Sequence, residues 1–330
     1  VADMIILFDS FSAYDSKVSL TLLVESHMWA QSGVLLAICS YILWGITPLF
    51  YRLLPGAQPL ELLAQRLIWS IPLLLLVRLF IKNRTRWRAV LQDRRSIFMC
   101  LFSSLAMAVS WCTFTYALTH QQVLAASLGY FINPLFSIVL GVIFLKEKLN
   151  PAEKWAVILI CAGVGYQLWM YGQLPILALV MGGAFAIYGL IRKFIRFDVI
   201  TSLFIETLWL IPVAIGAMIW LIMRDESAFS SADNLTRFYY ILTAPVTILP
   251  LLFFTAAIKR TTLTVIGLAQ YIEPTMQFLL AVFLFHEAFD AVKGVSFSLI
   301  WLGLLCCIFA LIRKRLNALK IHKGQHSQKI

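Results

Sequence analysis

The sequence predicts an all-α, polytopic membrane protein of ten transmembrane helices built as two inverted five-helix repeats. Three observations carry that expectation. Of the 330 residues 61% are hydrophobic and only 13% charged, with a mean hydropathy of +0.86. Charge that sparse cannot cover the surface of a soluble protein of this length. Ten apolar segments follow one another, each close to the 20 or so residues that cross a hydrocarbon core about 30 Å thick. Finally, the stretch LAASLGYFINPLFSIVLGVIFLKE, Leu124 to Glu147, returns 140 residues later as TVIGLAQYIEPTMQFLLAVFLFHE, Thr264 to Glu287.

Taken in order, the segments are Gly33–Leu53, Leu60–Ile81, Ile97–Leu118, Leu124–Leu145, Trp155–Tyr171, Leu174–Ile191, Ile200–Met223, Phe238–Ile258, Val265–Phe285 and Val292–Ile312. Residues 1–32 precede them. Within that stretch Val1 to His27 mixes Asp3, Asp9, Asp15 and Glu25 with Lys17 and lacks the basic flank of a signal peptide. It reads as a disordered tail or a start-site artefact, with Met28 just ahead of the first segment. Residues 33–171 and 174–312 form the two repeats, and 313–330 form a basic tail.

The net charge of +11 reports orientation rather than nucleic-acid binding, because the basic residues sit in short loops between apolar segments. With the N-terminus cytoplasmic, 22 basic residues fall on the cytoplasmic side and four (Arg52, Arg224, Arg237 and Lys293) on the other. Both ends are therefore expected inside the cell. The six cysteines all lie in apolar segments, without metal-site or disulfide-framework spacing, and read as packing residues.

The repeat extends beyond the fourth and ninth segments. Trp69, Ile71 and Pro72 reappear as Trp209, Ile211 and Pro212, and Leu159, Ile160 and Gly163 as Leu299, Ile300 and Gly303. Five is odd, so the second copy enters the membrane from the opposite side. Such inverted repeats let one chain hold inward-open and outward-open states of similar energy.

Polar residues inside the segments mark the candidate site. Arg66 stands six residues into the second segment, about 9 Å below the outer boundary, and its counterpart Glu206 stands as far from the inner one. They differ in depth by about 12 Å, so a direct pair between them is not expected. Asn133 and Glu273 lie about 13 Å from their own faces, near the midplane. An unpaired charge there costs at least about 2.5 kcal/mol.

Arg66, Asn133 and Glu273, with Tyr130, Trp44 and Trp69 as an aromatic wall, are the expected substrate-binding residues. Glu206, Arg66 and Glu273 are the candidates for coupling or gating. The alternative is a buried pair, Arg66 with Glu273, that only fixes helix packing. Pro72, Pro134, Pro212 and Pro274 each remove a helix hydrogen bond and are expected to kink their helices. Glu147 and Glu287, at the ends of the fourth and ninth segments, suit structural capping of the segments that follow. Ala162, Gly163, Gly165 and Gly303 suit close packing within the fold or between two protomers. The expected partners are a small-molecule substrate and membrane lipid. No nucleic-acid module, metal-ligand spacing, P-loop or nucleophile with its base is visible, so neither cofactor nor catalysis is expected.

GYFINPLFSIVLG with the following LKEK, ELLAQRLIWS in the second segment and ETLWLIPVA in the seventh resemble the RarD proteins, EamA-type members of the bacterial drug/metabolite transporter superfamily. The resemblance runs from about Gly33 to Ile312. It implies a ten-helix inner-membrane permease of two EamA repeats, whose relatives mostly export amino acids or other small metabolites. Arg66, Asn133, Glu147 and Glu206 fall on matching motif positions, whereas relatives can be non-acidic at the position of Glu273.

Overall fold

The computed structural model describes residues 32–54, 56–80, 85–120, 123–172, 176–284 and 291–327, and among these the regular structure is entirely helical. Val1–His27 and Glu287 lie outside the described residues. Ten long helices are formed: α1 (Ser32–Tyr51), α2 (Pro59–Phe80), α3 (Arg94–Thr119), α4 (Val123–Phe144), α5 (Pro151–Tyr171), α6 (Ile176–Arg192), α7 (Val199–Met223), α8 (Asn234–Ile258), α9 (Leu263–Leu284) and α10 (Ala291–Ser327). Seven of them, α1, α2, α3, α7, α8, α9 and α10, are long and apolar enough to cross a membrane, and α4 and α6 add shorter apolar helices. The first turn of α5 carries Glu153 and Lys154, which shortens its apolar run. The chain is a multi-pass membrane protein.

Its outer surface agrees with that reading. Trp169 is 85% exposed, Met223 81% and Phe80 79%, values that suit hydrocarbon and not water.

Helix starts are set locally. Asn150 caps α5 in a reciprocal box with Glu153, Asp198 caps α7, Asp233 caps α8 and Thr262 caps α9. At its other end α10 runs on through the basic stretch expected to be a separate tail. Lys, Arg, Leu and Ala are good helix formers, and cations suit the C-terminal end of the helix dipole. The prolines act unequally. The helix continues past Pro72, Pro134 and Pro212, whereas α9 is broken at Tyr271, just before Pro274, and ends in a π-helical turn at Leu280–Leu284.

Packing interleaves the two halves of the chain. The principal pairs are α5 with α10, α2 with α7 and α4 with α9, while α6 lies against α3 and α4. α1 makes the matching contacts in the other half: the Ser40 hydroxyl donates to the Pro250 carbonyl of α8, and Gly45 abuts Met276 of α9. Individual contacts repeat at the 140-residue offset. Gly163 packs against Ser296, and Gly303 against Ala156; at each a Cβ would meet a facing carbonyl oxygen at 2.9–3.0 Å. The Tyr271 hydroxyl donates to the carbonyl of its own counterpart, Phe131, at 2.9 Å.

Candidate functional site

Asn133 and Glu273 each follow ten residues after the start of their helix, about 15 Å along it. Both are buried, at 6% and 7% exposure. Close approach holds the surrounding helices in register. A Cβ on Gly182 of α6 would lie 3.0 Å from the Asn133 backbone nitrogen, and one on Gly267 of α9 would lie 2.7 Å from the Pro134 carbonyl oxygen.

Tyr130, one turn before Asn133, is near enough to feel the charges of both Arg66 and Glu273. Among the described residues no ion pair joins those two. Instead the Arg66 guanidinium lies over the Trp111 ring of α3, 3.8 Å from its centroid, with Tyr51, Cys112 and Tyr130 as polar neighbours. A desolvated cation–π contact of this kind contributes about 2 kcal/mol, less than a full counter-ion would. Glu273 has Tyr41 nearby and accepts a long hydrogen bond, 3.4 Å, from Gln277 one turn on.

Eight buried side-chain polar atoms among the described residues lack a hydrogen-bond partner. Four of them, Tyr41 Oη, Arg66 Nε, Asn133 Oδ1 and Gln270 Oε1, belong to α1, α2, α4 and α9 around this site. Each such group costs about 1–3 kcal/mol if left unsatisfied.

The expected aromatic wall divides. Trp44 packs with Tyr41, Phe185 and Phe254 in a ring cluster between α1, α6 and α8. Trp69 donates its indole N–H to Gln65 at 2.9 Å, and Gln65 reaches Met218 of α7. A cavity of about 580 Å³ lies elsewhere, at the end of α2, lined by Leu75, Arg78, Leu79, Arg86 and Trp87.

Glu206 is not part of the central group. It forms a buried ion pair with Arg192, whose guanidinium also donates to the Tyr188 and Ser202 hydroxyls. Arg192, read from the sequence as a loop charge, is therefore a buried residue, 1% exposed, because α6 extends one residue further than expected and turns it towards α7. Lys193 and Lys259, in the separate connections after α6 and α8, donate to the carbonyls of Thr261 and Phe197. Burial lowers both ammonium pKa values from their ordinary range.

Glu147 does cap a helix, but α9 and not α5. Its carboxylate accepts from the backbone N–H groups of Leu263 (2.7 Å) and Thr264 (2.9 Å) and from the Thr264 hydroxyl. The start of α5 is already served by Asn150. Lys146, with φ +54°, turns the chain back over the end of α4 and delivers Glu147 to its neighbour.

Glu61, which the sequence did not single out, does the same at the opposite end of the fold. Fully buried, it accepts from the Ser227 hydroxyl, from the N–H groups of Ala228 and Phe229 and from the Tyr240 hydroxyl, tying α2 to the α7–α8 connection. Gln270 and Gln277 were also missed, although both stand one helical turn from Glu273.

Comparison with known proteins then decides the family. Residues 31–168 match the EamA-like transporter family. The chain is 41% identical to protein RarD of Escherichia coli over 83% of this chain and 93% of that one. The chain belongs to the RarD family of EamA-type transporters. An uncharacterized transporter of Vibrio cholerae is 38% identical to this RarD-family chain over 84% of its length and 91% of the relative's, and the uncharacterized transporter YojE of Bacillus subtilis 35% over 87% and 97%. A protein of known crystal structure shares the fold alone, with a TM-score of 0.64 at 15% identity, covering 87% of this chain and 99% of the other.

Proposed function

We propose that this RarD-family protein is a secondary transporter that moves a small polar or zwitterionic metabolite across the bacterial inner membrane, by alternating access of two inverted five-helix bundles. In this reading all ten helices cross, both termini face the cytoplasm and the direction is export. The observation that carries it is the pair of opposite charges in different halves. Arg66 and Glu273 both come near Tyr130 without forming an ion pair among the described residues, and the unpartnered Asn133 Oδ1 sits one turn from that tyrosine. A zwitterion spanning the two would answer both charges at once.

Two further features support the inverted arrangement. The helix pairs exchange with one another when the halves are exchanged. The end of α4 meets the start of α9 at Glu147, and the start of α2 meets the end of α7 at Glu61, as antiparallel partners must. No residue set in the site pairs a nucleophile with a base, so transport is preferred to catalysis. Proton coupling is the simplest driving force for export.

Reconstitution tests the proposal. Proteoliposomes offered a mixture of cellular metabolites should accumulate at least one solute saturably, Arg66→Ala should abolish that uptake, and an imposed pH gradient should change it. Absence of flux for every solute would favour the alternative reading, a receptor or assembly partner. Flux that never saturates would indicate a channel.

A further inference from the structure

The polar residues of α9 form a stripe with a chemistry of its own. Gln270, Glu273 and Gln277 recur at i, i+3 and i+7 and so share one face of the helix, whereas their 140-residue counterparts on α4 are the neutral Tyr130, Asn133 and Ser137. Along α9 lies α1: Gly33 abuts Arg260 and Thr261 just before α9 begins, and Gly45 abuts Met276. The two helices therefore run side by side in the same direction. Tyr41, one turn before Gly45, comes level with residues 270–273 and near the Glu273 carboxylate.

Oxygen atoms gather at this level. The Gln270 side-chain oxygen and the Tyr41 hydroxyl are buried, at 2% and 0% exposure, and neither has a hydrogen-bond partner among the described residues. Pro274 has no N–H to return to the Gln270 carbonyl, and α9 is broken at Tyr271 between them. The buried Glu273 carboxylate has only the long hydrogen bond from Gln277, at 3.4 Å. Among the described residues no cation pairs with it, and Arg66, which also comes near Tyr130, is stacked on Trp111.

We infer that this turn of α9 is a sodium-ion site, formed by the Glu273 carboxylate, the side-chain and main-chain oxygens of Gln270 and the Tyr41 hydroxyl. Interrupted membrane helices offer such oxygens to monovalent cations, and one positive charge balances one carboxylate buried near the midplane. A proton would occupy the carboxylate alone and leave Gln270 and Tyr41 unanswered. A divalent ion would call for further ligating charge, and no group of three or more His, Cys, Asp and Glu side chains exists for it among the described residues. The inference rests on the transport reading in one respect: sodium takes the place given there to the cationic end of the solute, so ion and solute exclude each other. The same oxygens would serve a primary ammonium group, and the experiment separates the two sources.

Thermal unfolding of the whole chain in neutral detergent, with ionic strength held constant by choline chloride, tests the site. Sodium chloride at a few times its Kd should raise the transition by about 2–4 °C over choline chloride alone. Gln270→Leu should weaken the sodium affinity at least about tenfold, Tyr41→Phe should weaken it less, and Glu273→Gln should abolish the response. Each variant is judged by the sodium dependence of its transition and not by the transition itself, so a change in packing does not imitate the effect. No response of the unaltered chain to sodium, or an undiminished one in Gln270→Leu, would overturn the inference. So would a rise with ammonium chloride where sodium chloride gives none, which would make the site a seat for the solute's amine only. No solute enters this measurement, so a failure of transport in proteoliposomes leaves its result standing, and a saturable transporter without the sodium response fails this inference alone.

Discussion

Glu206 and Glu273 are both buried acids on helices of the same half, yet their surroundings are opposite. Glu206 is held by Arg192, and that arginine is itself occupied by Tyr188 and Ser202. Glu273 has one long hydrogen bond from a neighbouring turn and, among the described residues, no cation paired with it. A charge matched within the protein is committed to structure, because moving it would expose its partner to low dielectric. A charge left partly unmatched is able to exchange partners with a solute. The same contrast separates Arg192, whose two terminal nitrogens bond to Glu206, Tyr188 and Ser202, from Arg66, stacked on Trp111.

Breaking the matched pair should have the largest effect. Arg192→Ala leaves Glu206 buried without a counter-ion and should cost about 3–5 kcal/mol of stability, seen as a lowered thermal transition in detergent. The double variant Arg192→Met with Glu206→Leu should recover most of it. If the single substitution is tolerated, the contrast with Glu273 dissolves.

At the unmatched site the expectation reverses. Glu273→Gln should lower saturable transport at least about tenfold, equivalent to about 1.4 kcal/mol, with its thermal transition little changed. Normal transport in that variant would reduce Glu273 to a packing role.

The helix contacts that frame the site rank next. Gly182→Ala puts a methyl 3.0 Å from the Asn133 backbone nitrogen and should destabilise by about 1–3 kcal/mol through overpacking between α4 and α6. Glu147→Gln weakens the cap on α9 and should cost about 1 kcal/mol, read from the same transition.

The smallest effect concerns Asp198, at the start of α7. Burial alone would raise its carboxyl, but hydrogen bonds from Thr201 and Thr85 outweigh that and hold it below the ordinary carboxylate range. A depressed pKa stabilises the fold above the unfolded value and loses that contribution as pH falls through the folded one. The thermal transition should therefore drop on acidification below about pH 4, the unfolded aspartate value, and Asp198→Asn should flatten that part of the profile.

The sequence alone determined a good deal. Apolar segments about 20 residues long can satisfy their backbone polar groups in lipid only as helices, so all ten helices begin within four residues of where hydropathy put them. The 140-residue repeat likewise made Asn133 and Glu273 equivalent before any contact was known. What hydropathy cannot express is which helix faces which.

Partner choice belonged to the tertiary structure. That Glu206 answers Arg192 and not Arg66, that Glu147 caps α9 and not α5, and that Glu61 ties α2 to the α7–α8 connection all depend on contacts between residues 14 to 168 positions apart. Periodicity along one helix fixes only neighbours three or four residues away. A long side chain such as Arg192 lies in a loop or in the interior according to a single extra helical residue, and only packing across helices settles that choice.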